Sequence, residues 1–366
     1  MIKCCFPKQT YIVWIAQRMN SAISLDEVHE MTDSKVYDAI KQSQSTKDEP
    51  LIFIITTEGT TVGGFLDNKL EYVRKLIKNE IDDEKILPWL YTQDSIEEIY
   101  DDPKTWQKSN PSLGTVKTHA YLEDIMNKSR HDLGTRVTML CKDFNIKQLD
   151  QGTWLTFNDL NNSEEFKIED LKDSYAIGGV DLSSTTDLTA AVLLLMKDDK
   201  KYVITQFFMP SDVIEKRKEE DNVPYDLWVQ RGLITVTDGS QNDFSLVSKW
   251  FIDMVREHQI RPLWVGYDPW NSQYWIKEME ELGFNMEKVR QGVYSLSEPM
   301  KQLEADLKNK KVVYNDNPIL KWCLANTQAK VDVNGNIQPS KLNSRYKRID
   351  GTVALIIAYT VLNRYI

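Results

Sequence analysis

Three aspartates are the strongest candidates for chemistry: Asp181, Asp268 and Asp350. Apolar runs at 177–180 and 263–267 lead directly into the first two. A carboxylate at the carboxyl end of a strand points into the crevice at that sheet edge, and its burial is unfavourable unless it is paired or binds a cation. Clustered carboxylates can hold two divalent ions, which promote phosphodiester hydrolysis, and Mg²⁺ and Mn²⁺ prefer oxygen ligands. The three residues could therefore form a two-metal nuclease site.

Each aspartate also has an ordinary structural interpretation. Asp is common in turns after strands, and Asp268 is followed by Pro269. Asp is equally common as a helix N-cap, which by itself explains Asp350. Asp187 could contact the metal ligands without binding the ions itself, or it could be a turn residue. These patterns alone leave a nuclease as one hypothesis among several.

The surrounding pattern predicts the elements that would position these carboxylates. Strand-like runs with short connections predict an antiparallel meander at 175–181, 188–196 and 202–209. After it come a helix, a strand and four further helices at 243–258, 262–268, 272–282, 297–309, 318–326 and 350–364. A meander followed by alternating helices and strands is the order of an α/β, RNase H-like fold, in which helices flank a mixed central sheet.

The N-terminal part of the chain also has an α/β pattern. A short strand at 23–25 ends at the adjacent carboxylates Asp26 and Glu27, and a helix is predicted at 34–42. The continuous apolar run at 51–55 predicts a buried strand, and a helix follows at 65–79. Between 82 and 174, turn signals surround one predicted helix at 120–130, so this stretch is interpreted as connecting.

Composition limits the function classes. The 366 residues allow two domains, and the net charge of −10 argues against broad electrostatic capture of nucleic acid, although not against local basic strips. The four cysteines show no zinc-like spacing, which favours a reduced, cytoplasmic protein. No apolar stretch approaches the roughly 20 residues of a membrane span, and we expect no secretion signal and no membrane partner.

Two basic groups lie in the C-terminal half. The group just before Asp350 is predicted to contact DNA phosphates and consists of Lys341, Arg345, Lys347 and Arg348. The other group is predicted to be solvated surface and consists of Lys308, Lys310 and Lys311. Trp270 and Tyr274 could stack on DNA, although packing within the protein is the preferred interpretation.

Several blocks of the sequence resemble the large subunit of tailed-phage terminases, specifically the HK97-like branch. The blocks are 179–183, 187–190, 265–269, 291–304, 317–322 and 348–354. The resemblance implies a nuclease domain in which Asp181, Asp268 and Asp350 hold two Mg²⁺ or Mn²⁺ ions. It selects the same three residues as the strand argument.

The N-terminal part resembles the ATPase domain of the same family. Residues 24–30 resemble its Walker B segment, in which Asp26 would help to hold Mg²⁺ and Glu27 would activate the attacking water. Residues 54–59 resemble its coupling motif, formed here by Thr56, Thr57 and Gly59. The alternative is that Asp26 and Glu27 merely cap the following helix.

A G-x-x-x-x-G-K-[ST] phosphate-binding loop is absent from the sequence. We therefore expect a partial RecA-like ATPase domain, truncated at its N-terminal side, that uses ATP only if the loop is supplied elsewhere. The predicted divisions are a partial ATPase domain at 1–100, a connecting region at 101–174 and an endonuclease domain at 175–366.

The resulting prediction is a phage- or prophage-encoded endonuclease of the host bacterial cytoplasm that cuts concatemeric double-stranded viral DNA during packaging. The resemblance implies the terminase small subunit, the portal and the procapsid as partners. The alternatives are an inactive prophage remnant or non-catalytic assembly component, and a Holliday-junction resolvase or transposase of the same fold.

Overall fold

The chain forms two units that divide between Gln151 and Gly152. The computed structural model describes residues 13–15, 22–31, 33–149, 153–183, 188–221, 223–269, 273–341 and 347–365. The stretch predicted to be connecting, 101–174, is therefore shared between the units.

The described residues of the first unit form a small sheet, five α-helices and two 3-10 helices. Its strands are β1 (Val13–Ile15), β2 (Ala22–Asp26) and β3 (Leu51–Ile55), in the order β1-β2-β3. Its α-helices are α1 (Lys35–Ser43), α2 (Phe65–Ile77), α3 (Ile96–Asp101), α4 (His119–Ser129) and α5 (Leu133–Lys142). Short 3-10 helices occupy Val28–Glu30 and Pro103–Lys108. Strand β2 pairs antiparallel with β1 and parallel with β3.

Strand β3 forms where its apolar run predicts it, but the predicted burial is wrong. The side chains of Leu51, Phe53 and Ile55 are 53–56% exposed. The buried cluster beside this sheet receives only the half-buried Ile52 from β3. An apolar run indicates burial only when other elements cover both faces of its strand, and within the described residues they do not.

The helical part of the first unit has its own core, centred on Trp106. This fully buried side chain packs with Ile99, Leu122 and Phe144. Its indole nitrogen donates a hydrogen bond of 2.8 Å to the carbonyl of Ile99. The region between 96 and 146 is thus an organised helical body, of which the sequence predicted only α4.

The second unit is built around a large mixed sheet. Its strands are β4 (Tyr175–Asp181), β5 (Thr189–Lys197), β6 (Lys200–Pro210), β7 (Ile234–Thr237), β8 (Arg261–Tyr267), β9 (Met286–Lys288), β10 (Val312–Val313), β11 (Thr327–Val331) and β12 (Ile337–Lys341). Its α-helices are α6 (Phe157–Leu160), α7 (Ile214–Asp221), α8 (Tyr225–Gln230), α9 (Phe244–Arg256), α10 (Gln273–Glu281), α11 (Val293–Lys308), α12 (Pro318–Ala325) and α13 (Asp350–Tyr365). Two 3-10 helices occupy Ile168–Leu171 and Ser211–Val213.

The predicted meander is confirmed. Strands β4, β5 and β6 pair antiparallel, whereas β8 and β9 continue the sheet in parallel from β4. The strand order is β10-β6-β5-β4-β8-β9, with β7 also pairing with β6, and β11 and β12 form a separate hairpin. Helices on both faces of this mixed sheet give the RNase H-like architecture that the element order predicted. No helix in the described part of the chain is long and apolar enough to cross a membrane.

Two adjacent glycines of β4 face opposite sides of the sheet. A Cβ atom on Gly178 would lie 3.1 Å from the Phe251 ring of α9, on the face whose core cluster includes Val247 and Phe251. A Cβ atom on Gly179 would lie 2.2 Å from the Ala354 carbonyl oxygen and 2.7 Å from the Ala358 nitrogen of α13. Helix α13 is buried from Asp350 to Leu362 and packs directly on the sheet backbone because Gly179 carries no side chain.

Candidate active site

Asp181 and Asp268 end neighbouring parallel strands. Val180 of β4 is in register with Tyr267 of β8; Asp181 is the next and last residue of β4, and Asp268 directly follows the end of β8. Neighbouring strands lie about 4.8 Å apart, so the two backbone positions adjoin at one sheet edge. Both aspartates are half-buried.

Helix α13 brings Asp350 to the same edge. Asp350 is its first residue and is 6% exposed. A Cβ atom on the next residue, Gly351, would lie 3.0 Å from the Phe207 ring. Phe207 is in register with Ala190, and Ala190 is in register with Asp181. The helix therefore begins level with the end of β4.

A buried thiol lies within electrostatic range of both Asp181 and Asp350. The Cys323 side chain of α12 is fully buried, and this burial is the main reason why the pKa of its thiol is raised. The negative charges of Asp350 and, more weakly, Asp181 raise the pKa of the thiol further. Both carboxylates thus act on one buried atom.

The donor chemistry of this edge fits a hard divalent cation. The three aspartates offer only carboxylate oxygens, the ligands that Mg²⁺ and Mn²⁺ prefer. Among the described residues, however, no three His, Cys, Asp or Glu side chains already lie in an arrangement that could hold a metal ion. The aspartates share a sheet edge without forming a ready-made ligand set. Asp187, the possible supporting residue, lies outside the described residues.

The structure corrects the interpretation of Arg348. This side chain is 2% exposed, and its Nε and Nη2 atoms donate hydrogen bonds of 2.8 and 3.1 Å to the carboxylate of Asp221. A buried and paired guanidinium is not available to a DNA phosphate. Lys341 and Lys347 are half-buried, and Arg345 lies outside the described residues.

The second basic group forms contacts within its own unit. Lys308 pairs with Glu304 at 2.5 Å and Lys311 with Asp199 at 2.7 Å. Lys310 donates to the carbonyl of Asn158. Because the two ion pairs are partly exposed, they agree with the predicted solvated surface.

The structure tests the predicted packing of only one of the two aromatic residues after Asp268. Tyr274 is 93% exposed, so the preference for packing within the protein is wrong for this side chain. Trp270 lies outside the described residues.

In the first unit, the adjacent carboxylates end β2 as predicted. The Asp26 carboxylate accepts a hydrogen bond of 2.9 Å from the Glu27 amide, and Glu27 has a left-handed backbone with φ of 56°. Glu27 precedes the 3-10 helix Val28–Glu30, but its side chain forms no capping hydrogen bond. The alternative that Glu27 serves as a helix cap is therefore not supported by the geometry.

A buried histidine that the sequence analysis missed joins the two ATPase-like segments. The Thr56 hydroxyl accepts a hydrogen bond of 3.2 Å from the His29 amide and lies 3.2 Å from its Nδ1 atom. His29 Nε2 lies 3.4 Å from Glu27 Oε2. A Cβ atom on Gly59 would lie 2.6 Å from the His29 ring, so Gly59 permits this close packing. The sequence shows this histidine close to the carboxylate pair. Only its contact with Thr56 in the folded chain indicates that it links the two segments.

Comparison with known families identifies the chain. The sequence model described as "Terminase large subunit, endonuclease domain" matches residues 80–364, and the one described as "Terminase large subunit, ATPase domain" matches residues 18–75. The chain therefore belongs to the terminase large subunit family.

Individual relatives are distant. Protein YmfN of Escherichia coli K12 is 24% identical over 349 residues, which are 91% of this chain and 75% of YmfN. The large terminase subunit of Enterobacteria phage HK97 is 25% identical over 329 residues, 89% of this chain and 63% of that protein. The crystal structure of the HK97 large terminase matches with a TM-score of 0.48 at 23% identity, over 92% of this chain and 69% of that one. The chain thus spans less than two thirds of the HK97 protein's sequence.

Proposed function

We propose that the second unit is a metal-dependent endonuclease that cuts concatemeric double-stranded viral DNA during packaging. One observation supports this proposal: β4 and β8 end side by side at Asp181 and Asp268, and α13, whose first residue is Asp350, begins level with the end of β4. A carboxylate set of this kind is suited to two divalent ions and to phosphodiester hydrolysis.

In this proposal, the carboxylates hold the ions and orient them toward the scissile phosphate. Bound Mg²⁺ or Mn²⁺ would supply an activated water and stabilise the leaving oxygen. Lys341 and Lys347 would contact the DNA backbone, and Arg345 remains a further proposed contact. Family membership supports the terminase small subunit, the portal and the procapsid as proposed partners, with the host bacterial cytoplasm as the place of action.

Purified protein is expected to convert supercoiled plasmid to nicked and linear forms when Mn²⁺ is added. The reaction should stop with EDTA and resume when excess Mn²⁺ is restored, because the carboxylates act only through the ions. Agarose-gel time courses measure both effects. Intact plasmid at saturating Mn²⁺, together with no metal binding, would favour the non-catalytic assembly component instead.

We propose that the first unit contains a partial ATPase domain in which Asp26 and Glu27 form the Walker B pair and Thr56, Thr57 and Gly59 form the coupling motif. This chain alone is expected to release no phosphate from ATP, with or without DNA, because its sequence has no phosphate-binding loop. A coupled phosphate-release assay measures this, with Glu27→Gln as the background control. Turnover above that background would contradict the proposal.

A further inference from the structure

A buried ion pair joins Asp221 to Arg348, two residues before the proposed metal ligand Asp350. The side chains of Arg348 and Asp221 are 2% and 0% exposed. The guanidinium donates two hydrogen bonds, of 2.8 and 3.1 Å, to the two oxygens of the carboxylate. Asp221 is the last residue of α7, so the pair joins parts of the chain 127 residues apart.

A buried tyrosine also binds the carboxylate of this pair. The hydroxyl of Tyr225 donates a third hydrogen bond, of 2.7 Å, to the Asp221 carboxylate. The Tyr225 ring packs edge-on against Trp228 and Trp322, with centroid distances of 5.4 and 6.2 Å. Burial is also the main reason why the pKa of Tyr225 is raised, so its hydroxyl stays protonated and able to donate. The orientation of the carboxylate is therefore fixed from two sides.

Further hydrogen bonds fix the backbone on both sides of Asp350. The carbonyl of Arg348 accepts a hydrogen bond of 3.2 Å from the Asn326 side chain. The hydroxyls of Thr327 and Thr352 lie 3.1 Å apart in the interior. Arg348 is thus held by both its side chain and its backbone, two residues before Asp350.

We propose that Asp221 is a positioning residue for the metal centre and acts through Arg348. The pair orients the start of α13, and hence the Asp350 carboxylate. It also neutralises a guanidinium that would otherwise compete with divalent ions for that carboxylate. Buried ion pairs are often no more stabilising than apolar side chains of the same volume, so stability alone does not account for this one. The inference rests on the proposed function, since it requires that Asp350 binds metal.

Mn²⁺ affinity in the absence of DNA tests this inference, with isothermal titration calorimetry as the measurement. Asp221→Asn is expected to weaken Mn²⁺ binding by about 10- to 100-fold, the range typical of residues that support metal ligands. The double variant Asp221→Asn/Arg348→Met is expected to recover part of this loss, because it lacks the competing positive charge. Arg348→Lys keeps the charge and one donor, and should lose less affinity than Asp221→Asn.

The chain offers a matched control in Asp306 of α11, a carboxylate that also contacts α13. Asp306 accepts hydrogen bonds from Lys201 at 2.6 Å and from the hydroxyl of Tyr359, a residue of α13, at 3.0 Å. This carboxylate is 13% exposed and has the same kinds of partner as Asp221. Asp306→Asn is expected to lower the thermal unfolding temperature while leaving Mn²⁺ affinity unchanged.

Wild-type Mn²⁺ affinity in Asp221→Asn, or an equal loss of affinity in Asp306→Asn, would overturn the positioning role. If Asp221→Asn does not fold, Arg348→Lys and the double variant test the role instead. Wild-type Mn²⁺ affinity in both of these variants would overturn it. Absence of Mn²⁺ binding by the wild-type protein would be a different result, because it would remove the proposed function itself.

Discussion

Asp350→Asn is expected to reduce the rate of DNA cleavage by more than the roughly 10- to 100-fold that loss of an outer supporting group causes. The substitution preserves the size of the side chain and removes the charge that would hold the ions. Asp181→Asn and Asp268→Asn should have the same effect, because the proposed ions need ligands from all three positions. Initial rates of plasmid nicking in Mn²⁺ measure the loss.

Asp243→Asn is the matched control for these variants. The Asp243 side chain caps α9 by accepting a hydrogen bond of 2.9 Å from the Ser245 amide. An Asn side chain can cap in the same way, so activity and stability should stay near wild type. Full cleavage activity in any one of the three site variants would remove that residue from the proposed site.

Gly179→Ala is expected to destabilise the second unit by at least the 1–3 kcal/mol or so that overpacking a core typically costs. Its Cβ atom would meet the backbone of α13 at 2.2 and 2.7 Å, and backbone atoms cannot rotate away. Helix α13 would have to move off β4, which would also displace Asp350. Urea unfolding measures the lost stability, and Mn²⁺ titration measures the damage to the site.

Gly178→Ala is the control, because it adds the same methyl group one residue earlier on the opposite face. Its Cβ atom would meet side-chain atoms of Val265 and Phe251 at 3.0–3.2 Å, which can adjust. The loss of stability should therefore be clearly smaller than in Gly179→Ala. Equal losses in the two variants would show that the close approach of α13 is not limiting.

The strands that carry Asp181 and Asp268 could be predicted because their signal is local. An apolar run that ends in a carboxylate marks both the strand and the end at which the proposed ligand lies. The position of Asp350 near the end of β4 could not be predicted in this way. It depends on the register between β4, β5 and β6 and on the close approach of the α13 backbone to the β4 backbone at Gly179. The family resemblance identified Asp350, whereas the residue pattern alone favoured a helix cap.

The errors come from properties that only tertiary structure decides. Arg348 was predicted to contact phosphate because it belongs to a basic group just before Asp350. Its partner Asp221 lies 127 residues away, so the sequence alone does not indicate the pairing. Strand β3 looked buried because its run is continuously apolar, yet its exposure depends on which elements cover it. The core around Trp106 was missed because its helices are short and separated by turns.

Crystals soaked in Mn²⁺ and measured for anomalous diffraction provide the most direct test of the account. We predict two manganese peaks, roughly 3.5–4 Å apart, between the carboxylates of Asp181, Asp268 and Asp350. The absence of peaks at this edge under saturating Mn²⁺, or ions held only by other residues, would contradict the central claim.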